Sequence, residues 1–238
     1  YEKAISLDPQ FALAYTGIAK CLLDQYWLYN NHNDNVILES KKAIDKAFKI
    51  DPDLPDAHLA LGIYYYYGYL NYSEALEQFE LILKDQPNNS EILMWIAAVY
   101  RRIGKLELAK SYFEQALDLD PRRAELAEEV GETHDLLREY DKAEKYYNMS
   151  ITLQPDWVFP YQLLSQMILR WDGNTKKAKD ILENASRNNK SSISDSLVIQ
   201  VNVLIDIYDK NYDEALKDMS LLRYDVVQNQ AYFRPKYL

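Results

Sequence analysis

Residues 58–87 read HLALGIYYYYGYLNYSEALEQFELILKDQP, and the spacing inside this stretch decides the fold. Its skeleton is His58, Leu61, Gly62 and Tyr65, then Ala75 and Phe79, then Pro87. The next copy runs Leu93, Ile96, Ala97 and Tyr100, then Ala109 and Phe113, then Pro121. The one after it runs Ala127, Val130, Gly131 and His134, then Ala143 and Tyr147, then Pro155. Prolines 52, 87, 121 and 155 thus stand 35, 34 and 34 residues apart. A period in this range marks units that cannot bury an apolar face alone and must stack.

Each copy reads as two helices. Residues three, four and seven apart share a helical face, so Ile96, Tyr100 and Ile103 form one stripe and Ala109, Phe113, Ala116 and Leu117 the next. Small residues at Gly62, Ala97 and Gly131 let two backbones approach, and Phe79, Phe113 and Tyr147 fill the space between units. Pro121, behind Asp120, cannot continue a helix, because it lacks an N–H and disfavours the helical conformation of its predecessor.

The flanking copies are looser. Tyr15, Ile18, Ala19 and Leu22 fit a first half whose second half, Ser40, Ile44, Ala47 and Pro52, arrives late. The excess falls in Asp24–Asn35, which reads as a loop between the two helices. Downstream, Tyr161, Leu164, Ser165 and Ile168, then Ala178 and Leu182, keep the register, with Lys190 where proline should stand. A last pair, about 194–208 and 212–223, keeps Ala215 and the apolar rhythm. Tyr1, Ala4 and Pro9 match the end of a unit, so the sequence is expected to be part of a longer polypeptide.

These copies resemble tetratricopeptide repeats. The resemblance implies an all-α, right-handed superhelical solenoid of antiparallel helix pairs. Its units would be 12–54 with the insertion, 55–89, 90–123, 124–157, 158–192 and a degenerate 193–223, followed by a tail or further element at 224–238. In that family the first helix of every unit lines a concave face that binds peptides or partner helices. Carried onto this sequence, that face would hold Lys20, Leu59, Ile63, Tyr66, Tyr67, Met94, Arg101, Glu125, Glu128, Glu132, Asp135, Gln162 and Gln166, while Glu144 would face away. The cochaperones of the family grip a carboxylate with Lys, Asn and Arg. Here Lys20 and Arg101 alone could match, and Glu128, Glu129 and Glu132 oppose such a ligand. The opening phrase Ile5–Tyr15 also resembles the repeat tails of bacterial multidomain signalling proteins.

Composition narrows the function. The net charge is −10, and the densest basic spots are only Arg101-Arg102, Arg122-Arg123 and Lys176-Lys177, so nucleic acid is not an expected partner. No stretch reaches the roughly 20 apolar residues of a membrane span, and a cytoplasmic location is expected. The single cysteine, Cys21, lies among Ala19, Leu22 and Leu23 and reads as a core thiol. His32, His58 and His134 are too scattered for a metal site, and His134 takes the packed position of Tyr65 and Tyr100. No phosphate-binding glycine loop and no nucleophile with a nearby base stand out, so neither cofactor, metal nor catalysis is expected.

Surface chemistry is what remains. Four consecutive helical residues, Tyr64 to Tyr67, point around the whole circumference, so some must face out; the run is either compositional or a binding surface. Glu125, Glu128, Glu129, Glu132 and Asp135 form an acidic ladder, either a solvated face or a counter-charge for basic residues. The expected function is a non-catalytic protein-interaction module whose partner carries apolar anchors and basic residues. Alternatives are a regulatory domain packed on an enzyme or effector in the same polypeptide, and self-association through exposed ends.

Overall fold

A computed structural model of the chain describes residues 1–28, 33–188 and 192–221. Thirteen α-helices occur among the described residues: α1 (Glu2–Leu7), α2 (Ala12–Leu28), α3 (Asp34–Ile50), α4 (Pro55–Tyr69), α5 (Tyr72–Asp85), α6 (Ser90–Arg102), α7 (Leu106–Leu119), α8 (Ala124–Leu136), α9 (Tyr140–Leu153), α10 (Phe159–Asp172), α11 (Thr175–Asn188), α12 (Ser192–Tyr208) and α13 (Tyr212–Leu221). They form two compact units, Tyr1–Lys105 and Leu106–Leu238.

In the first unit α2 pairs with α3 and α4 with α5, while α2 also packs on α4 and α5 on α6. In the second, α8 pairs with α9, α10 with α11 and α12 with α13, and α10 touches both α8 and α12. The first helices of successive pairs are therefore neighbours within each unit.

The period is written into the backbone as a left-handed corner after a first helix. Leu70, Gly104, Arg138 and Lys210 have φ of 51°, 79°, 61° and 62°. Behind each, an N–H reaches back into the helix: Asn71 six residues to the Tyr65 carbonyl, and Lys105 to Tyr100, Glu139 to His134 and Asn211 to Asp206 five residues, at 2.8–2.9 Å. These bonds satisfy carbonyls that the helix end leaves open. Helix starts are equally local. The Asn89 side chain accepts from the N–H groups of Glu91 and Ile92, and Pro55 opens α4, where its missing N–H costs nothing.

Between the helices of a pair, an aromatic ring sits on a residue without a side chain. A Cβ placed on Gly62 would lie 2.3 Å from the Phe79 ring, and one on Gly131 would lie 2.9 Å from the Tyr147 ring. Phe79, Phe113 and Tyr147 are fully buried, and each follows a buried alanine by four residues, Ala75, Ala109 and Ala143. At the same place in α13, four residues after Ala215, Met219 is 52% exposed.

Two sequence readings need correction. The stretch Asp24–Asn35 is not wholly a loop, because α2 continues through Leu28 and α3 begins at Asp34. Trp27 explains the extension: its ring stacks on Tyr67 at 4.6 Å between centroids, which holds the last turn of α2 against α4. Cys21 is exposed rather than in the core, since its apolar neighbours in sequence lie on other faces of α2. His32, Lys190 and the tail 224–238 lie outside the described residues.

Replacing Gly131 by Leu forces a side chain into the Tyr147 ring and should lower stability by about 1–3 kcal/mol, as overpacking does. Urea unfolding measures it, and an unchanged midpoint would refute this helix approach. Conversely, exposed Arg138 holds a conformation costing an L residue about 1–2 kcal/mol, only part of which glycine's extra chain entropy cancels. Arg138→Gly should therefore raise stability by roughly 0.5–1 kcal/mol in the same assay.

Candidate functional site

In the first unit the first helices α2, α4 and α6 bring aromatic and cationic side chains together. Trp27 from α2 stacks on Tyr67, and both Tyr66 and Tyr67 of α4 meet the Trp95 ring of α6 edge-on at 5.7 and 5.6 Å. The Arg102 Nε–H donates to the Tyr66 hydroxyl at 3.0 Å, and its guanidinium lies over the Trp27 ring at 5.9 Å. Such a cation over an indole face is attracted by the ring quadrupole. Further along, Lys20 of α2 pairs with Glu91 of α6 at 3.3 Å.

The expected face is therefore only partly accessible. Leu59, Ile63, Tyr66 and Met94 are buried, so they pack the unit rather than offer open anchors. Half-buried Lys20, Tyr67 and Arg101, joined by Trp27, Trp95 and Arg102, carry the accessible chemistry. Trp27 could not be found by the repeat pattern because it lies in the apparent insertion.

In the second unit the first helices are α8, α10 and α12. Of the acidic ladder, Glu125 is exposed and pairs with Arg123 at 2.5 Å, Glu132 is half-buried, and Glu128 is 3% exposed. Glu128 is thus no solvated charge: α8 is packed by α7, α9 and α10, and this position falls inside those contacts. Asp135 forms an ion pair with Arg170 of α10. Burial pushes the Asp135 carboxyl above its ordinary range, and the Arg170 guanidinium opposes that shift. Tyr147 sits beneath this face, and its phenol is pushed well up by burial and by the charges of Asp135, Glu132 and Glu128. On α10, Gln162 is buried and reaches Gln200 of α12, while Gln166 is half-buried.

His134 is fully buried at the junction of α7, α8 and α9. Its Nδ1 lies 2.7 Å from Glu139, its Nε2 3.2 Å from Glu114, and its ring stacks on Tyr146 at 5.3 Å. Glu139 also meets Lys142 at 2.9 Å and Lys110 at 3.5 Å. Glu144 does not stand alone on the outer face either, since it pairs with Lys177 of α11 at 2.7 Å. Among the described residues no group of three or more His, Cys, Asp and Glu is placed to hold a metal ion. No described helix is long and apolar enough to cross a membrane.

Helix pairs closed by left-handed corners, with the first helices of successive pairs in contact, define a helical repeat protein. The tetratricopeptide repeat pattern matches residues 90–123. The photosystem I assembly protein Ycf3 of Rippkaea orientalis is 30% identical over 142 residues, 48% of this chain and 82% of that protein. The chain belongs to the tetratricopeptide repeat family. Anaphase-promoting complex subunit 6 of Dictyostelium discoideum is 34% identical over 80 residues, 32% of this chain, and the match spans only 9% of that protein's length. Among solved structures, pilF of Pseudomonas aeruginosa aligns over 92% of this chain and 99% of its own, with a TM-score of 0.61 at 18% identity. YrrB, described as a tetratricopeptide repeat protein with an unusual peptide-binding site, aligns over 84% of this chain and 96% of its own, with a TM-score of 0.54 at 19% identity.

The Glu139 network sets a pH dependence. Bonds from Lys142 and His134 hold this carboxyl at about 2, below its ordinary 4.5. Because the folded value is the lower, the stabilisation is complete above about 4.5 and is lost as pH falls toward 2. Glu139→Gln should flatten stability between pH 5 and pH 2 in acid titrations followed by circular dichroism.

Proposed function

We propose that this chain is a non-catalytic protein-interaction module that takes a segment of a partner protein on the first helices of its pairs. One observation carries the reading: side chains from different first helices meet within each unit, Arg102 with Tyr66 and Lys20 with Glu91 in the first, Asp135 with Arg170 and Gln162 with Gln200 in the second. Side chains shared between neighbouring repeats form a surface that a ligand can span, whereas a catalytic site would need a positioned nucleophile, base or metal. The names of relatives support the same class, one an assembly protein and one a subunit of a complex.

The two faces differ in chemistry. Trp27, Tyr67 and Trp95 offer the first unit's aromatic contact area, with Arg101 and Arg102 beside it, and suit apolar anchors. Glu125, Glu132 and Asp135 give the second unit's face an acidic character that suits Lys or Arg. The partner segment is therefore one with apolar anchors and basic residues.

Fluorescein-labelled dodecapeptides combining Leu or Trp anchors with Lys and Arg test this by anisotropy. Glu125→Lys with Glu132→Lys should weaken binding about tenfold at low salt and less at high salt, since charges on an open face are screened over about 8–10 Å. Tyr67→Ala should chiefly speed dissociation. Asp180→Lys, on the exposed side of α11, is the control and should leave affinity unchanged. Peptides that bind all three variants as they bind the parent chain would overturn the reading.

A further inference from the structure

Gln162 of α10 and Gln200 of α12 project from the first helices of consecutive pairs in the second unit. Gln162 is 1% exposed and Gln200 half-buried. A single bond joins them, Gln162 Nε2 donating to Gln200 Oε1 at 3.5 Å, longer than the usual range of about 2.7–3.2 Å. Gln162 Oε1 and Gln200 Nε2 are left withdrawn from solvent with no hydrogen-bond partner. Exchanging O and N in both amides leaves the same inventory, one acceptor and one donor. Buried polar groups in folded proteins are nearly always paired, because an orphan forfeits its hydration for nothing.

We propose that these two amides hold one residue of an extended polypeptide by its main chain, its N–H donating to Gln162 Oε1 and its C=O accepting from Gln200 Nε2. In an extended chain the N–H and C=O of one residue point to the same side, which is why facing residues of an antiparallel ladder exchange two bonds. An α-helix cannot supply this pair away from its ends, since its main-chain groups already bond within the helix. Gln200 provides the entry: as the half-buried member it can turn aside and open Gln162, exchanging one long amide–amide bond for two to the ligand. The proposal rests on the partner-binding reading above and narrows it. The second unit's ligand is extended, and at this point it is read by backbone and not by side chain.

The strongest-binding dodecapeptide of the preceding assay is N-methylated at each position in turn and measured against the parent chain, Gln200→Met and Gln162→Met/Gln200→Met. One position should lose tenfold or more in affinity on methylation, and the double variant should show a loss of similar size with a melting temperature at or above the parent's. Gln200→Met alone gives the same readout if the double variant does not fold. A flat methylation scan, or variants that bind as the parent does, overturns the proposal while leaving the interaction module standing. Losses at most interior positions mark a helical ligand and also overturn it. Absence of binding by every peptide overturns both readings.

Discussion

The close approach of helices in α4/α5 and α8/α9, on which the neighbouring contacts build, depends on an aromatic ring seated where a side chain is missing. With Gly62 under Phe79 and Gly131 under Tyr147, the two helices of a pair approach until ring and backbone are in contact. The ring then leaves no void and loses all its solvent exposure, which contributes roughly 1.5–3 kcal/mol per ring of this size. A side chain added beneath the ring and a ring reduced in size damage the same contact from opposite sides. That is why small and large positions recur together along the sequence.

This close approach has a consequence for the exposed chemistry. Because the second helices take up the rings, the first helices are free to meet one another, and within each unit their side chains form shared clusters. The first unit uses indole, phenol and guanidinium groups. The second uses carboxylates and amides. The binding surfaces proposed above are thus a product of the packing, since no single helix holds either cluster.

How far this was legible in the sequence differs by residue. Helices, pairing and the ring positions could be read because they repeat, and prolines 87, 121 and 155 mark the ends. The corners were harder: Gly104 signals a left-handed turn, but Leu70, Arg138 and Lys210 adopt the same backbone without any such signal. Trp27 was hidden in an Asn-rich run, and only its tertiary partner Tyr67 shows why the helix persists there. The face could be assigned from helical periodicity, yet periodicity does not say how deep a neighbour lies. Glu128, Tyr66 and Gln162 therefore proved buried at positions read as surface. Gln200 escaped notice because its pair is degenerate, and its meaning comes from Gln162.

The distribution of indoles gives the two units separate optical signatures. Trp27 and Trp95 belong to the first unit's aromatic cluster, whereas Trp157, beside Phe159, and Trp171, stacked on Tyr140, belong to the second. With Trp157 and Trp171 changed to Phe, emission reports the first unit alone; with Trp27 and Trp95 changed instead, it reports the second. Trp27 and Trp95 lie within the first unit's proposed binding face itself. Intrinsic fluorescence can therefore separate melting of one unit from melting of the other, and ligand contact from both, without an attached dye.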